Sequence, residues 1–183
     1  MENYKTVKYS QTTITELMIP SYANFGGKIH GGILLSLMDK VAYACASKHA
    51  GSYCVTVSVD TVDFLQPIEV SELVSLHASV NYVGRSSMLI GIKVVAEDVT
   101  KGSVRHTNTS YFTMVSKGAD DKPKEVPGLI LETREEVRRF LEAIKRKEIR
   151  NIYKETLNNQ KTTLTVEEEI PKLKKERCII KSY

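Results

Sequence analysis

The stretch that most constrains the fold runs from Asn24 to His49, NFGGKIHGGILLSLMDKVAYACASKH, where a glycine-rich loop leads directly into a long amphipathic segment. From about Gly32 the apolar residues recur at intervals of three and four, and they are Ile33, Leu34, Leu37, Met38, Val41, Ala42 and Cys45. This spacing predicts an α-helix with one buried face, ending near His49. Gly51 follows and is suited to a left-handed cap at the end of the helix.

Asp39 and the paired glycines Gly31 and Gly32 are candidates for chemistry within this stretch. Asp39 lies at the edge of the apolar stripe, where burial disfavours a charged carboxylate unless another group compensates. The glycines allow a ligand to approach the backbone, and the first amides of the helix are expected to be unpaired, which suits an anion or a polarised carbonyl oxygen. The alternative is structural, with glycines that only permit tight packing and a solvated aspartate.

Four strand candidates follow the helix without another helix between them. Polar and apolar residues alternate over 54–64, 73–83 and 88–97, and the run 104–116 is rich in threonine and aromatic residues. Another strand is predicted within residues 6–18. One helix and about five antiparallel strands indicate an α+β class, in which a second subunit or residues from 120 onward cover the other face of the sheet.

The rest of the chain is predicted to add a linker and a C-terminal helix to a domain that spans residues 1–118. Residues 119–132 have the composition of a linker. Thr133 and Glu136 then form a capping box, which predicts a helix over 133–150. Residues 151–183 are interpreted as a C-terminal extension of unknown role.

Composition excludes several functional classes. The net charge is only +4, and its basic excess lies after residue 134 among glutamates, which gives little support to nucleic-acid binding. No apolar run approaches the roughly 18 residues of a membrane span, and the first residues lack the apolar core of a signal peptide. Three cysteines without a CxxC pair suggest a cytoplasmic protein, with Cys45 and Cys54 buried. No histidine pair has metal-ligand spacing, so no metal site is expected.

Four segments together resemble the hotdog-fold acyl-CoA thioesterases, in particular the YciA-like and brain acyl-CoA hydrolase branch. They are the loop from Asn24 to His30, the helix opening HGGILLSLMD, the strand VTVSVDTVDFLQPI and the link VGRSS. The resemblance implies a hotdog fold, in which a curved antiparallel sheet wraps around the central helix. It also implies a homodimer with a continuous sheet that assembles further into a tetramer or hexamer. The implied reaction is hydrolysis of an acyl-CoA to a free acid and coenzyme A, with no cofactor.

The same resemblance assigns roles to individual residues. The catalytic aspartate of the family falls on Asp39, its loop asparagine on Asn24, and the glycine that polarises the thioester carbonyl on Gly31 or Gly32. His30 is a weaker catalytic candidate that otherwise hydrogen-bonds within the loop. The segment expected to contact coenzyme A comprises Gly84, Arg85, Ser86 and Ser87.

Thioester chemistry is compatible with so small a set of groups. The thiolate leaves readily because the parent thiol has a pKa of about 8.5, so a positioned water or carboxylate and a polarised carbonyl suffice. Asp39 acts either as a general base or as a nucleophile, and the sequence leaves both open. Asn24, with a donor and an acceptor in one amide, is suited to holding the water.

The helix geometry predicts that the site is shared between two subunits. Asp39 lies seven residues after Gly32, which is about 10 Å along a helix, too far for both groups of one chain to act on one carbonyl. We therefore expect Asp39 of one subunit to face Asn24 and the glycine amide of the other. Two alternative functions are a hotdog dehydratase and a non-catalytic acyl-CoA sensor with the C-terminal extension as its effector.

Overall fold

The structure is a computed structural model that describes residues 3–181, apart from the side chain of residue 162. Its strands are β1 (Tyr4–Thr6), β2 (Thr12–Leu17), β3 (Cys54–Val59), β4 (Leu73–Val83), β5 (Ser87–Asp98), β6 (Ser103–Ser116) and β7 (Gly128–Ile130). Its α-helices are α1 (Val7–Ser10), α2 (Gly31–Ala50), α3 (Arg134–Thr163) and α4 (Val166–Glu169). Two short 3₁₀ segments, Pro20–Tyr22 and Ile170–Lys175, complete the described secondary structure.

Five strands form one antiparallel sheet in the order β2-β4-β5-β6-β3, and α2 packs against its inner face. The apolar stripe of α2 is buried as predicted, with Met38, Val41, Ala42 and Cys45 fully enclosed. They contact inward-facing residues of the alternating strands, such as Leu76, Ile90 and Phe112. The predicted α+β arrangement of one long helix and five antiparallel strands is confirmed.

Several local predictions differ from the structure. The first strand prediction, residues 6–18, is interrupted by α1, whose N-cap is the side chain of Thr6. The third strand ends at Val59 rather than near residue 64, because the chain then leaves the ladder as a loop along β6. Residues 119–132, predicted as a linker, contain β7, which pairs in parallel with β1.

The C-terminal end of α2 is held by contacts that bring distant segments together. Gly51 caps the helix with φ of 65° and ψ of 30°, as its position predicted. Lys5 Nζ donates to the carbonyl of His49 at 2.6 Å, and the ring of His49 lies 3.0 Å from the carbonyl of Pro127. Burial lowers the pKa of His49, which favours its neutral form.

The outer face of the sheet is partly covered by the first turns of α3, one of the two covers that the sequence suggested. Thr133 and Glu136 form the predicted capping box, with Glu136 N donating to Thr133 Oγ1 and Thr133 N donating to Glu136 Oε2. The ring centroids of Phe140 and Tyr82 lie 5.1 Å apart, with the two rings tilted to each other, and Ala143 is buried.

The chain divides into two compact units, the first ending at Ala143 and the second beginning at Ile144. The helix predicted over 133–150 runs on to Thr163, so α3 contributes to both units. Within the second unit most side chains are exposed, including Ile149, Ile152 and Tyr153. The division into a domain, a C-terminal helix and an extension stays a prediction.

Candidate active site

Asp39 projects from the middle of α2 toward β3. Its Oδ1 accepts a hydrogen bond of 2.6 Å from Thr56 Oγ1, a residue that the sequence analysis did not select. Thr56 precedes an irregularity in the pairing of β3 with β6, between Thr56 and Ser58. Bulges of this kind re-aim side chains near functional sites, and here the hydroxyl is turned to the aspartate.

Asp39 is an exposed residue within this chain, so the chain by itself does not desolvate the carboxylate. The sequence placed Asp39 at the edge of the apolar stripe, and in the single chain the buried stripe of α2 passes through Met38 and leaves its neighbour outside. The carboxylate instead lines an open, mostly apolar cavity of about 670 Å³. The other lining residues are Gly32, Leu35, Ser36, Val59, Asp60, Val62, Phe64 and Phe112.

Asn24 lies in the loop that precedes α2 and organises that loop with its own side chain. Its Oδ1 accepts from the amides of Gly26 at 2.8 Å and Lys28 at 3.2 Å. Both lone pairs of this oxygen are therefore engaged, and the side chain offers only its Nδ2 donors to a ligand. Asn24 and Gly31 together line two further cavities.

His30 is the N-cap of α2 and its ring closes over the start of the helix. The amide of Gly32 donates to His30 Nδ1 at 2.9 Å, so this amide is not unpaired as expected. The amide of Gly31 makes no hydrogen bond within the described part of the chain. Of the two glycines predicted to polarise a carbonyl, Gly31 is therefore the one with an available donor.

At Gly31, helix α2 lies close to the loop that follows β3. A Cβ atom at Gly31 would lie 3.3 Å from the ring of Phe64, which is tighter than most side-chain contacts. Phe64 lines both the cavity of Asp39 and one of the two cavities that Asn24 lines. One aromatic ring therefore separates the two predicted halves of the site.

An ionic network fixes the Asn24 loop to the sheet. The amide of Ile29 donates to the carbonyl of Ile68 at 2.9 Å, and Lys28 pairs with Glu69. Glu72 accepts from the amide of Glu69 and from the guanidinium of Arg105, which also reaches the carbonyl of Pro67. The hydrogen bonds from Arg105 lower the pKa of Glu72, so the carboxylate stays charged in its buried position.

The predicted coenzyme A segment forms the tight turn between β4 and β5. The amide of Gly84 donates to the carbonyl of Ser87 at 2.7 Å, and a Cβ atom at Gly84 would lie 2.8 Å from Ser87 Oγ. The carbonyls of Arg85 and Ser86 accept from the amides of Val126 and Ser116, which anchors the turn to the end of β6 and to the segment after it. Arg85 itself is exposed and forms no ion pair with the described residues.

The structure thus brings some of the predicted residues together and leaves others apart. Asp39 and Gly32 share one cavity, while Asn24, His30 and Gly31 share another. None of the residues from Gly84 to Ser87 lines these cavities. Residues 3–181 contain no group of three or more histidine, cysteine, aspartate or glutamate side chains placed to hold a metal ion. None of the helices in this range is both long and apolar enough to cross a membrane.

Comparison with known proteins identifies relatives over most of the chain. The family profile described as Thioesterase superfamily matches residues 26–103. Protein VdlD of Helicobacter pylori is 43% identical over 145 residues, which cover 79% of this chain and 83% of that protein. The uncharacterized acyl-CoA thioester hydrolase YkhA of Bacillus subtilis is 35% identical over 139 residues, covering 76% of this chain and 81% of that protein.

Solved structures share the fold over a similar extent. An apo-hexameric acyl-CoA thioesterase superposes with a TM-score of 0.80 at 36% identity, covering 82% of this chain and 97% of the other. The acyl-CoA hydrolase of Staphylococcus aureus, solved with butyryl coenzyme A and coenzyme A, superposes with a TM-score of 0.77 at 30% identity, covering 87% and 99%. The hotdog fold expected from the sequence is confirmed.

Three solved variants of the Staphylococcus aureus enzyme replace an asparagine, an aspartate and a threonine by alanine. The aspartate follows the asparagine by fifteen residues, and the threonine follows the aspartate by seventeen. The same intervals separate Asn24, Asp39 and Thr56 in this chain. Because protein VdlD and YkhA are 43% and 35% identical to this chain over 83% and 81% of their own lengths, the chain belongs to the thioesterase superfamily.

Proposed function

We propose that this protein hydrolyses acyl-CoA thioesters to a free carboxylic acid and coenzyme A, with Asp39 as the catalytic carboxylate. The observation that carries the proposal is the hydrogen bond of 2.6 Å from Thr56 to Asp39, which orients a carboxylate beside an apolar cavity. The names of the relatives support this substrate class, since YkhA is called an acyl-CoA thioester hydrolase. An aspartate held beside an apolar cavity suits a substrate with a hydrocarbon chain and a reactive carbonyl.

Thr56 acts in this proposal as a positioning residue. Its hydroxyl donates a hydrogen bond to Oδ1 of Asp39. Oδ2 then remains available to bind a water molecule or to attack the thioester directly. In the first case Asp39 removes a proton from water as the oxygen bonds to the carbonyl carbon. In the second the carboxylate forms an anhydride that water then hydrolyses, and in both the thiolate of coenzyme A departs.

The thioester carbonyl is bound at the start of α2. The Gly31 amide has no acceptor within the described chain, and Asn24 presents only Nδ2 donors, so both groups suit an oxygen that gains negative charge. His30 is assigned to holding the helix start through Gly32 and is not used in proton transfer. This assignment narrows the sequence prediction from two glycine amides to one.

Two copies of the chain complete each site in this proposal. Within one chain Asp39 is exposed, and β3, which carries Thr56, is the last strand of the sheet. Val57 and Val59 of this edge strand are exposed apolar residues, as expected of a strand that pairs with a second copy. Pairing there continues the sheet and covers the cavity of Asp39 with the partner. A solved relative is hexameric, which supports further assembly of such dimers.

The turn from Gly84 to Ser87 is proposed to bind the phosphates of coenzyme A. Arg85 provides an exposed guanidinium without an ion pair in the described chain, and Ser86 and Ser87 add hydroxyls. Because the turn does not line the cavities of its own chain around Asn24 and Asp39, it would serve a site formed with another copy. No cofactor beyond the substrate is proposed.

Thiol release from a panel of acyl-CoA esters tests the proposal directly. We expect turnover by the wild type and by the surface control Asp120→Asn, and a loss of roughly 10²–10⁴-fold in Asp39→Asn. Coenzyme A binding by Asp39→Asn, measured by calorimetry, should persist because Asp39 contacts the reacting group. Tight acyl-CoA binding without turnover by the wild type would identify a sensor and contradict the proposal, as would undiminished turnover by Asp39→Asn.

A further inference from the structure

A fourth cavity, of about 400 Å³, lies on the outer face of the sheet, under the first turns of α3. All its lining residues belong to the first compact unit, and none lines the cavities of Asn24 or Asp39. Its lining is mainly polar, unlike the apolar cavity of Asp39. Asp39 lies on α2, which packs against the opposite face of the sheet, so this cavity has no place in the proposed reaction.

A bulge in β4 forms the floor of the cavity. Val80 pairs with Ile90 and Tyr82 with Leu89, so Asn81 is the extra residue and its side chain lies over Gly91 of β5. A Cβ atom at Gly91 would lie 2.3 Å from Asn81 Nδ2, so a side chain there would displace the Asn81 amide from this position. Asn81 therefore enters the cavity wall because β5 has no side chain opposite it.

Asn81 is buried, with 6% of its surface exposed, and only half of its amide is paired. Its Oδ1 accepts from Ser79 Oγ at 3.0 Å. Its Nδ2 has no acceptor within the described residues. Because Asn81 lines the cavity, this donor is available to a ligand there.

A row of polar side chains crosses the sheet beside this floor. Thr13, His77, Lys93 and Thr109 are direct cross-strand neighbours on β2, β4, β5 and β6. His77 Nδ1 pairs with Thr13 Oγ1 at 3.0 Å, which leaves its Nε2 without a partner in the described chain. Lys93 forms no ion pair there either, so its ammonium remains a free cation at the cavity.

The roof is a pair of arginines held in place by glutamates. Arg138 pairs with Glu135 and Glu142, and Arg139 pairs with Glu135 and approaches Ser79 Oγ at 3.5 Å. These ion pairs fix the guanidinium planes over the cavity and neutralise much of their charge. Lys93 therefore supplies the uncompensated positive charge, while the arginines supply oriented N–H groups.

We propose that this outer cavity binds the phosphate group of a small phosphate monoester. Asn81 Nδ2 and Lys93 Nζ are donors without a protein acceptor at this cavity, and His77 Nε2 is a third when Thr13 Oγ1 donates to Nδ1, so a phosphate offers acceptor oxygens and negative charge to all of them. The carboxylate of Glu142, which also lines the cavity, is paired with Arg138. A volume of about 400 Å³ is within the range of small-molecule sites and exceeds the needs of a bare phosphate, which leaves room for an organic group.

Calorimetric titration of the full-length protein with glycerol 3-phosphate tests this proposal, with inorganic phosphate and glycerol as the other two probes. We expect the monoester to bind, free phosphate to bind more weakly, and glycerol not to bind. Lys93→Gln should raise the dissociation constant roughly ten-fold or more, since a charge-assisted hydrogen bond is lost. Asn81→Asp should abolish binding because a carboxylate replaces the amide donor.

Two controls separate this site from others that attract phosphate. Lys8→Gln removes an exposed lysine outside the cavity and should leave the dissociation constant unchanged. Arg85→Gln, or saturation with dephospho-coenzyme A, should also leave it unchanged, whether or not the proposed hydrolase activity is found. Circular dichroism establishes that each variant is folded.

Several results would overturn the proposal. One is the absence of binding by the wild type at millimolar glycerol 3-phosphate, and another is equal affinity of the wild type and folded Lys93→Gln. If inorganic phosphate binds as tightly as glycerol 3-phosphate, the cavity does not bind the organic group of the ester, and the assignment to a phosphate monoester is wrong. Displacement of glycerol 3-phosphate by dephospho-coenzyme A, which lacks the 3′-phosphate monoester of coenzyme A, would place the ligand at the other site and refute this one.

Discussion

The hydrogen bond between Thr56 and Asp39 is the most informative contact at the scale of single residues. Thr56→Val keeps the shape of the side chain and removes the donor, so Asp39 loses its fixed orientation. Because a hydrogen bond to a charged group contributes about 1.5–3 kcal/mol, we expect kcat to fall roughly 10- to 100-fold. Steady-state kinetics measures this effect, and Thr56→Ser should retain most of the activity. Equal kcat values for Thr56→Val and the wild type would remove Thr56 from the site.

Glu72 makes stability depend on pH. Its pKa lies below that of a free glutamate because Arg105 donates to it, so the charged form stabilises the folded protein. This contribution is fully present above the unfolded-state pKa of about 4.3 and is lost as the pH falls through the lower folded-state value. We expect Glu72→Gln to reduce the free energy of unfolding by about 1–3 kcal/mol at pH 7.

Urea denaturation at pH 7 and at progressively lower pH measures the difference between Glu72→Gln and the wild type. The difference should shrink as the medium becomes acidic, because the wild-type carboxylate is then protonated. Glu132→Gln alters an exposed glutamate and should behave like the wild type at every pH. A difference that stays constant with pH would contradict the assigned role of the carboxylate.

Sequence patterns predicted Asp39 and Asn24 but not Thr56, for a physical reason. Simple alternation along β3 puts Thr56 among the polar residues of one face, with nothing to distinguish it from Ser58. Its contact with Asp39 depends on the irregular pairing beyond Thr56 and on the docking of α2 against β3, both of which are tertiary features. Likewise, the capture of the Gly32 amide by His30 depends on a ring orientation that no spacing encodes.

Individual elements were predictable where one local signal dominated. The alternation of polar and apolar residues is clearest over 73–83, and these residues form β4 with the same bounds. The capping box located the start of α3, but its end at Thr163 carries no comparable stop signal. The α1 turn and β7 were missed because both are short, and β7 also depends on pairing with β1, a segment about 120 residues away.

Gly51 gives a prediction for the end of α2. Its φ of 65° lies in the left-handed region, and an added Cβ atom would meet little besides Lys5 Nζ at 4.0 Å, so the cost of Gly51→Ala is conformational. We expect Gly51→Ala to lower the free energy of unfolding by about 1 kcal/mol. Urea denaturation of the variant and the wild type measures this difference in the free energy of unfolding. Gly51→Asn should lose less, since asparagine tolerates this conformation, and equal losses for both would contradict the explanation.

At the scale of the whole molecule, the shared site predicts complementation between two inactive proteins. Asp39→Ala and Asn24→Ala each disable one half of both sites in a homodimer. A mixed dimer then contains one site with both groups intact and one with neither. After subunit exchange we expect up to about a quarter of the wild-type activity, because at most half of the dimers are mixed and each has one working site.

Thiol release before and after exchange measures this recovery, and mass spectrometry of labelled chains confirms that mixed dimers formed. A mixture of Asp39→Ala with Thr56→Ala serves as the control. Since both residues lie in the same half of the site, it should recover only the residual activity of Thr56→Ala. No gain in the first mixture despite proven exchange would refute a site shared between copies.

Because β3 is an edge strand through which two copies are proposed to pair, the catalytic activity is expected to depend on protein concentration. The strand that supplies the hydroxyl for Asp39 is also one of the two edge strands of the sheet within residues 3–181, and it carries exposed valines. The carboxylate is exposed in a single chain, whereas in the proposed dimer the partner covers both the carboxylate and the cleft. Specific activity should consequently decline on dilution, with a midpoint that reports how tightly the subunits hold each other.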